Sequence, residues 1–310
     1  SELVIRTASE VGNYDYLIDY RFKENGAIYI MVGASGLDAV KGVASTSMDD
    51  PTAADDTKYG SLIAPHLVAP NHDHYFNFRL DFDVDQPANM ASTLDIVPAE
   101  NLPDVPRKSM WQVNEVMANS ELEARYTFSA TKPRYFHVMD SSRKGPLGHN
   151  PAYMIHHGSV AYGPYDFDND PPFKRNRYLE YSLWNTVYDP DQRYAGGTFA
   201  MGSDGSDTLA QWVEDDQSLH NADIVSWFTA GFHHIPRVED WPVMSTEWKT
   251  IHLMPMNFFA MNPAATIRLP KDDPAALAVE AAPASAEPAA AAPADAAPAD
   301  ATPPEPKPAQ

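Results

Sequence analysis

Residues 14–22 alternate in character: Tyr14, Tyr16, Ile18, Tyr20 and Phe22 share one parity, while Asp15, Asp19 and Arg21 fall on the other. A period of two is the signature of a half-buried β-strand. Glu24-Asn25-Gly26 then supplies turn chemistry, and Ala27-Ile28-Tyr29-Ile30-Met31-Val32 predicts the returning strand of a hairpin. The same alternation sorts residues 72–85. His72, His74, Phe76, Phe78, Leu80, Phe82 and Val84 make the buried face; Asp73, Tyr75, Asn77, Arg79, Asp81, Asp83 and Asp85 make the polar one. Further short apolar runs at 134–139 and 178–184 are separated by turns rich in Pro and Gly. Helical periodicity is scarce, and only 51–58 and 207–217 predict short helices. The expected class is all-β: a large antiparallel β-sandwich with few short helices.

Composition changes this picture at one place. From Lys271 onward the chain is Ala, Pro and scattered acids with no aromatic residue. Such a segment buries too little to offset its ordering entropy, so 271–310 is expected to be a disordered tail. The folded body is then 1–270, with no internal repeat and no second folded domain. With 44% apolar and 11% aromatic residues it can bury a sizeable core. The 22 basic and 43 acidic residues give a net charge of −21. The tail holds seven acids and two bases, or −5, which leaves −16 on the body. That balance argues against nucleic acid or an anionic membrane surface as partner. The absence of cysteine excludes disulfides. No apolar run approaches the ~18 residues of a membrane span. Ser1 is followed at once by the strand-like Leu3-Val4-Ile5, with no leader pattern, which reads as a processed or truncated polypeptide.

His72 and His74 stand two apart on a strand, so their imidazoles point the same way from an otherwise apolar face. A buried imidazole pair needs hydrogen-bond partners or a metal, and the pair alone leaves both readings open, including a cupin-like site. His233-His234 offers a further ligand. Imidazole does not discriminate among copper, zinc, iron and nickel, but oxidation of a tyrosine ring would require a redox-active ion. On the polar face Asp81, Asp83 and Asp85 crowd like charges, to be neutralised by water or by a hard cation such as calcium.

Several separated motifs carry a family resemblance. Asn13-Tyr14-Asp15-Tyr16, Asn25-Gly26, Ala39-Val40-Lys41-Gly42-Val43, the His72/His74 pair with Tyr75-Phe76-Asn77-Phe78-Arg79-Leu80-Asp81, Arg237-Val238-Glu239-Asp240-Trp241-Pro242-Val243-Met244 and Pro255-Met256-Asn257-Phe258-Phe259 together resemble the copper-containing primary amine oxidases. The likeness runs from about residue 2 to about residue 269 and corresponds to the C-terminal portion of the catalytic domain. It implies that Tyr14 is the precursor of topaquinone, the carbonyl cofactor, with Asn13 and Asp15 orienting the ring. It implies copper on His72, His74 and His234, the spacing to Arg237 selecting His234 over His233. A calcium site would use Asp81, the Phe82 carbonyl, Asp83, Asp223 and the Ile224 carbonyl. A second cation site would use Glu121, the Trp212 carbonyl and Asp215, although Gln217 stands where an acidic ligand is expected. Glu10 also departs from the Thr that members often carry four residues before the cofactor tyrosine.

The implied reaction converts a primary amine and dioxygen to an aldehyde, ammonia and hydrogen peroxide. The family's general base is an aspartate well upstream of the cofactor tyrosine, and no residue here matches it; Asp15 neighbours Tyr14 along the strand and should face away. The resemblance further implies a homodimer, a periplasmic or secreted location, and an N-terminal segment of the same protein beyond this chain. Two other readings stand beside it. One is a copper-binding but catalytically incomplete fragment; the other is a cupin-like metal dioxygenase, which would want a glutamate ligand soon after His74 that the chain does not supply.

Overall fold

A two-residue turn at Gly12-Asn13, with Gly12 at φ +63°, folds β1 (Glu2–Val11) back onto β2 (Tyr14–Lys23), so that Val11 faces Tyr14. The computed structural model describes residues 1–267 except 101–103, 105, 107, 159, 200 and 201, and the stretch 271–310 lies outside the described residues. The Asn25-Gly26 turn, with Gly26 at φ +83°, leads into β3 (Ile28–Gly36). A Cβ on Gly26 would meet Pro255 at 3.1 Å and Phe259 at 3.2 Å, so two motifs more than 200 residues apart pack on each other there.

After β3 come β4 (Lys41–Gly42), helix α1 (Ala53–Asp56), β5 (Gly60–Ala64) and β6 (Leu67–Pro70). The long strand β7 (His72–Phe82) follows, then β8 (Met90–Pro98), β9 (Trp111–Met117), β10 (Arg134–Met139) and β11 (Ala152–His157). Helix α2 (Pro171–Arg175), β12 (Leu183–Val187), helix α3 (Leu209–Trp212), β13 (Ile224–His234) and β14 (Met244–Met256) complete the order. All pairings between these strands are antiparallel. Eight strands form one sheet in the order β1-β2-β3-β14-β11-β10-β8-β9, facing a sheet of β12-β13-β7; β4-β6-β5 make a third. The architecture is an all-β sandwich.

The main core lies between the first two sheets: Ile30, Phe136, Ile155, Ile251 and Leu253 meet Phe82, Leu183, Ile224 and Phe228. A second cluster on the far side of β12-β13-β7 joins Trp184, Val225 and Trp227 to Leu209 and Val213. β13 is therefore covered on both faces, which explains its nearly continuous apolar run. The two stretches expected to be helical contain α1 and α3; α2, where Pro171-Pro172 begins the helix, gave no periodic signal.

On β2 the alternation holds only near its start. Tyr14 is buried, but Tyr20 and Phe22 are 38% exposed, while Asp19 on the supposedly polar parity is fully buried. The reason is electrostatic. Arg6 of β1 grips Asp19 through two hydrogen bonds of 2.5 and 2.8 Å, and Arg21 adds another of 2.8 Å. All ten residues of β1 itself are exposed.

Candidate metal and cofactor site

Three elements meet at the site. β2 begins with Tyr14, β7 begins with His72 and carries His74 two positions on, and β13 ends with His234. The β7–β13 register sets His72 directly opposite His234 and His74 opposite Phe232. One nitrogen from each of His72, His74 and His234 lies within 4.8 Å of the other two. His233, adjacent to His234, points to the opposite face and is no part of this group.

The hydrogen bonds around the imidazoles fix which nitrogens are free. Nδ1 of His72 donates to the Pro70 carbonyl at 2.8 Å, which leaves Nε2 bare in the neutral ring. Nε2 of His234 faces the buried carboxylate of Asp240 at 3.5 Å, and with its proton on that side the ring turns a bare Nδ1 inward. These two bare nitrogens are 3.2 Å apart. Two lone pairs at that distance repel unless a proton or a metal ion lies between them. Nδ1 of His74 is taken by the Tyr16 hydroxyl at 2.9 Å, and its Nε2 is buried without a partner. Burial, reinforced by His72 and His234, pushes His74 down to about 4, so it stays neutral and able to ligate. The donor set suits a borderline transition metal such as copper.

Asp38 supplies the negative charge. It is fully buried, lies 3.6 Å from Nδ1 of His234, accepts the Tyr14 hydroxyl at 3.2 Å, and keeps its second oxygen without a partner. Sequence reasoning missed it. The available signal was its place directly before Ala39-Val40-Lys41-Gly42-Val43, on the turn that leaves β3. Gly36, paired with Tyr14 at φ +119°, makes that turn possible: a Cβ there would lie 2.5 Å from the Asn13 carbonyl.

The Tyr14 oxygen sits 2.8 Å from Nε2 of His72, and its ring meets His74 edge-on at 4.8 Å. Burial, with the charge of Asp38, pushes the Tyr14 phenol well above its usual range. Asn13 and Asp15 are not drawn into the site. Both are exposed, Asn13 in the hairpin turn and Asp15 on the face of β2 away from Tyr14. The groups that touch and orient the ring are Asp38 and the imidazoles.

The expected calcium ligands are brought near one another without closing a cage. Phe82 and Ile224 are paired across β7 and β13, and burial with Asp81 and Asp83 pushes the Asp223 carboxyl up. Asp81 is bound to Arg79 at 3.0 Å, and among the described residues these three carboxylates form no set as tight as the imidazoles. At the second cation position Glu121 is buried and accepts the backbone N–H groups of Val187 and Gln217 at 2.9 and 3.2 Å. Gln217 donates to Asp215 at 3.1 Å.

A family model described as the copper amine oxidase enzyme domain matches residues 1–273. The chain belongs to the copper amine oxidase family. Among curated relatives, a copper-containing amine oxidase (gamma 1) of Arabidopsis thaliana is 39% identical over 263 residues, covering 84% of this chain and 37% of that protein. A primary amine oxidase of Klebsiella aerogenes is also 39% identical, over 267 residues, covering 84% of this chain and 35% of its own length. The crystal structure of a copper-containing benzylamine oxidase from Hansenula polymorpha superposes with a TM-score of 0.77 at 29% identity, over 86% of this chain and 41% of that one. The chain thus spans little more than a third of the curated relatives it matches. Membership of this family, with the third imidazole arriving from β13, displaces the cupin-like reading. Among the described residues no helix is long and apolar enough to cross a membrane.

Proposed function

We propose that this chain carries the copper-binding and quinone-forming part of a primary amine oxidase, which converts RCH2NH2, O2 and H2O to RCHO, NH3 and H2O2. The observation that carries the reading is the contact between the Tyr14 oxygen and Nε2 of His72, inside a set of three convergent imidazoles with one nitrogen of each within 4.8 Å of the other two. His72, His74 and His234 would hold the copper. When bound, the ion supplies redox chemistry with dioxygen, and topaquinone made from Tyr14 supplies an electrophilic carbonyl and a two-electron store.

The chain's own residues prepare the site. The Pro70 carbonyl and Asp240 hold the protons of His72 and His234 on the outer nitrogens, so the inner lone pairs point at the metal position. Tyr16 anchors His74 in the same way. Asp38 offsets the cation's charge and holds the Tyr14 hydroxyl against His72.

A second reading, that turnover also requires polypeptide outside this chain, is favoured by the surface of β1. Ten consecutive exposed residues on an edge strand, with Leu3 62%, Ile5 52% and Val11 61% exposed, are a template for further strand pairing. The general base would then come from that outside polypeptide, since Asp15 is exposed on the face of β2 away from Tyr14. The same reading includes a homodimer, a periplasmic or secreted location, and calcium at Asp81, Asp83 and Asp223, supported by the crowding that raises Asp223.

The test is aerobic copper loading followed by phenylhydrazine and mass analysis of the peptide containing Tyr14. A coloured adduct on that peptide supports the proposal. An unmodified Tyr14 in copper-loaded, aerated protein would overturn quinone formation and leave a copper-binding fragment. Turnover of benzylamine or tyramine by the adduct-competent chain would show that a base is already present.

A further inference from the structure

The strands that carry the imidazoles carry a second polar system on their opposite face. In the β7–β13 register Asp73 is paired with His233, between the His72–His234 row and the His74–Phe232 row. Because side chains alternate, this pair projects away from the metal position. Nδ1 of His233 donates to Oδ1 of Asp73 at 2.5 Å, and its Nε2 donates to the Tyr162 carbonyl at 3.0 Å. The ring thus spans from the Asp73 carboxylate to the Tyr162 carbonyl, bridging β7 to the segment that carries Tyr162. The other oxygen of Asp73 accepts the Tyr165 hydroxyl at 2.5 Å, and Tyr165 is 2.6 Å from the Tyr75 hydroxyl. The Tyr75 ring lies across Gly231 of β13, where a Cβ would meet it at 2.4 Å. Tyr165 in turn stacks on Phe173 at 4.2 Å.

The location gives this network its consequence. His72 is the first residue of β7 and His234 the last of β13, so two of the three ligands sit at the open end of the strand ladder, where pairing is weakest. The Asp73–His233 pair is the next rung inward. A lone, partly exposed ion pair contributes little, but here one carboxylate is shared by two donors from different segments and one ring spans two acceptors.

We propose that Asp73, His233 and Tyr165 form a clasp that holds the ends of β7 and β13 together and so sets the position of His234 relative to His72 and His74. These are positioning residues. The inference rests on the copper-binding half of the proposed function and is independent of quinone formation.

The experiment compares the full chain with Asp73→Ala, His233→Ala, the double variant and Tyr165→Phe. Copper affinity is measured by chelator competition, and the ligand field by the electron paramagnetic resonance spectrum of bound Cu2+. Each single alanine variant should weaken copper about tenfold and alter the copper hyperfine splitting, because loosening a supporting shell disturbs the ligands. The double variant should lose clearly less than the sum of the two single losses, since both weaken one clasp. Asp73→Asn, nearly isosteric, serves where the alanine variant does not fold. Unchanged affinity and spectrum in Asp73→Asn and His233→Ala, or additive losses in the double variant, would overturn the clasp. A wild-type chain that binds copper but forms no quinone would sink only the oxidase reading; one that binds no copper would sink both.

Discussion

The phenolic oxygen of Tyr14 lies 2.8 Å from Nε2 of His72, the nitrogen left bare when Nδ1 donates to the Pro70 carbonyl. One ring is thus within hydrogen-bond reach of the metal position without being needed as a ligand. Tyr14→Phe should retain copper binding and lose the phenylhydrazine adduct completely. Removing one hydroxyl from a site with other donors should cost about 1 kcal/mol of stability. Chelator competition and adduct absorbance on the same samples check both halves.

Copper should stabilise this chain against unfolding. Facing lone pairs on His72 and His234, the orphaned Nε2 of His74 and the orphaned oxygen of Asp38 are all relieved by a cation that binds only the folded form. At free copper about 100-fold above its dissociation constant, the gain is about 2.7 kcal/mol. Calorimetry with and without a chelator should show the higher midpoint in wild type. His74→Ala should show no copper-dependent rise.

Most of the site was legible because its chemistry follows strand parity: His72 and His74 share a face, and Tyr14 opens a strand whose neighbour is buried. What parity cannot reveal is which loop returns to the ring. Asp38 reaches Tyr14 only because Gly36 lets β3 turn sharply, and nothing in the spacing of Asp38 advertises that. The same limit explains Asn13 and Asp15, whose proximity in sequence to Tyr14 becomes separation across a turn and across a strand. On β2, burial of Asp19 and exposure of Phe22 depend on β1, whose two faces are bare. Alternation reports which residues share a face but not which face is covered.

Stability should fall in acid through Asp19. The hydrogen bond from Arg6 is the largest influence, opposed by burial and aided by Arg21, and it holds the carboxyl at about 2, below its usual 3.8. A carboxyl depressed in the folded state contributes fully above its unfolded value and loses that contribution as pH falls toward the folded one. The window is therefore about pH 4 down to pH 2. Because Arg6 is half exposed, solvent screening limits the effect to about 1 kcal/mol. Urea unfolding of wild type and Asp19→Asn should differ by that amount at pH 6 and converge near pH 2.

Glu121 should act in the opposite direction. Burial pushes its carboxyl up to about 7, against the lowering effect of the Val187 and Gln217 N–H groups and with a further push from Asp215. A carboxyl raised in the folded state contributes below its unfolded value, near 4.5, and that contribution is lost as pH rises through about 7. The metal-free chain should therefore weaken between pH 5 and pH 8, by about 2 kcal/mol if Glu121 alone titrates. In Glu121→Gln that slope should vanish, because the amide has no proton to lose. The profile also tests whether a cation belongs beside this residue. Calcium added at pH 8 should restore the lost stability in wild type, and leave Glu121→Gln unmoved, if Glu121 and Asp215 bind the ion together. A wild-type profile indifferent to calcium at pH 8 would mean that Glu121 is held by its two backbone donors alone.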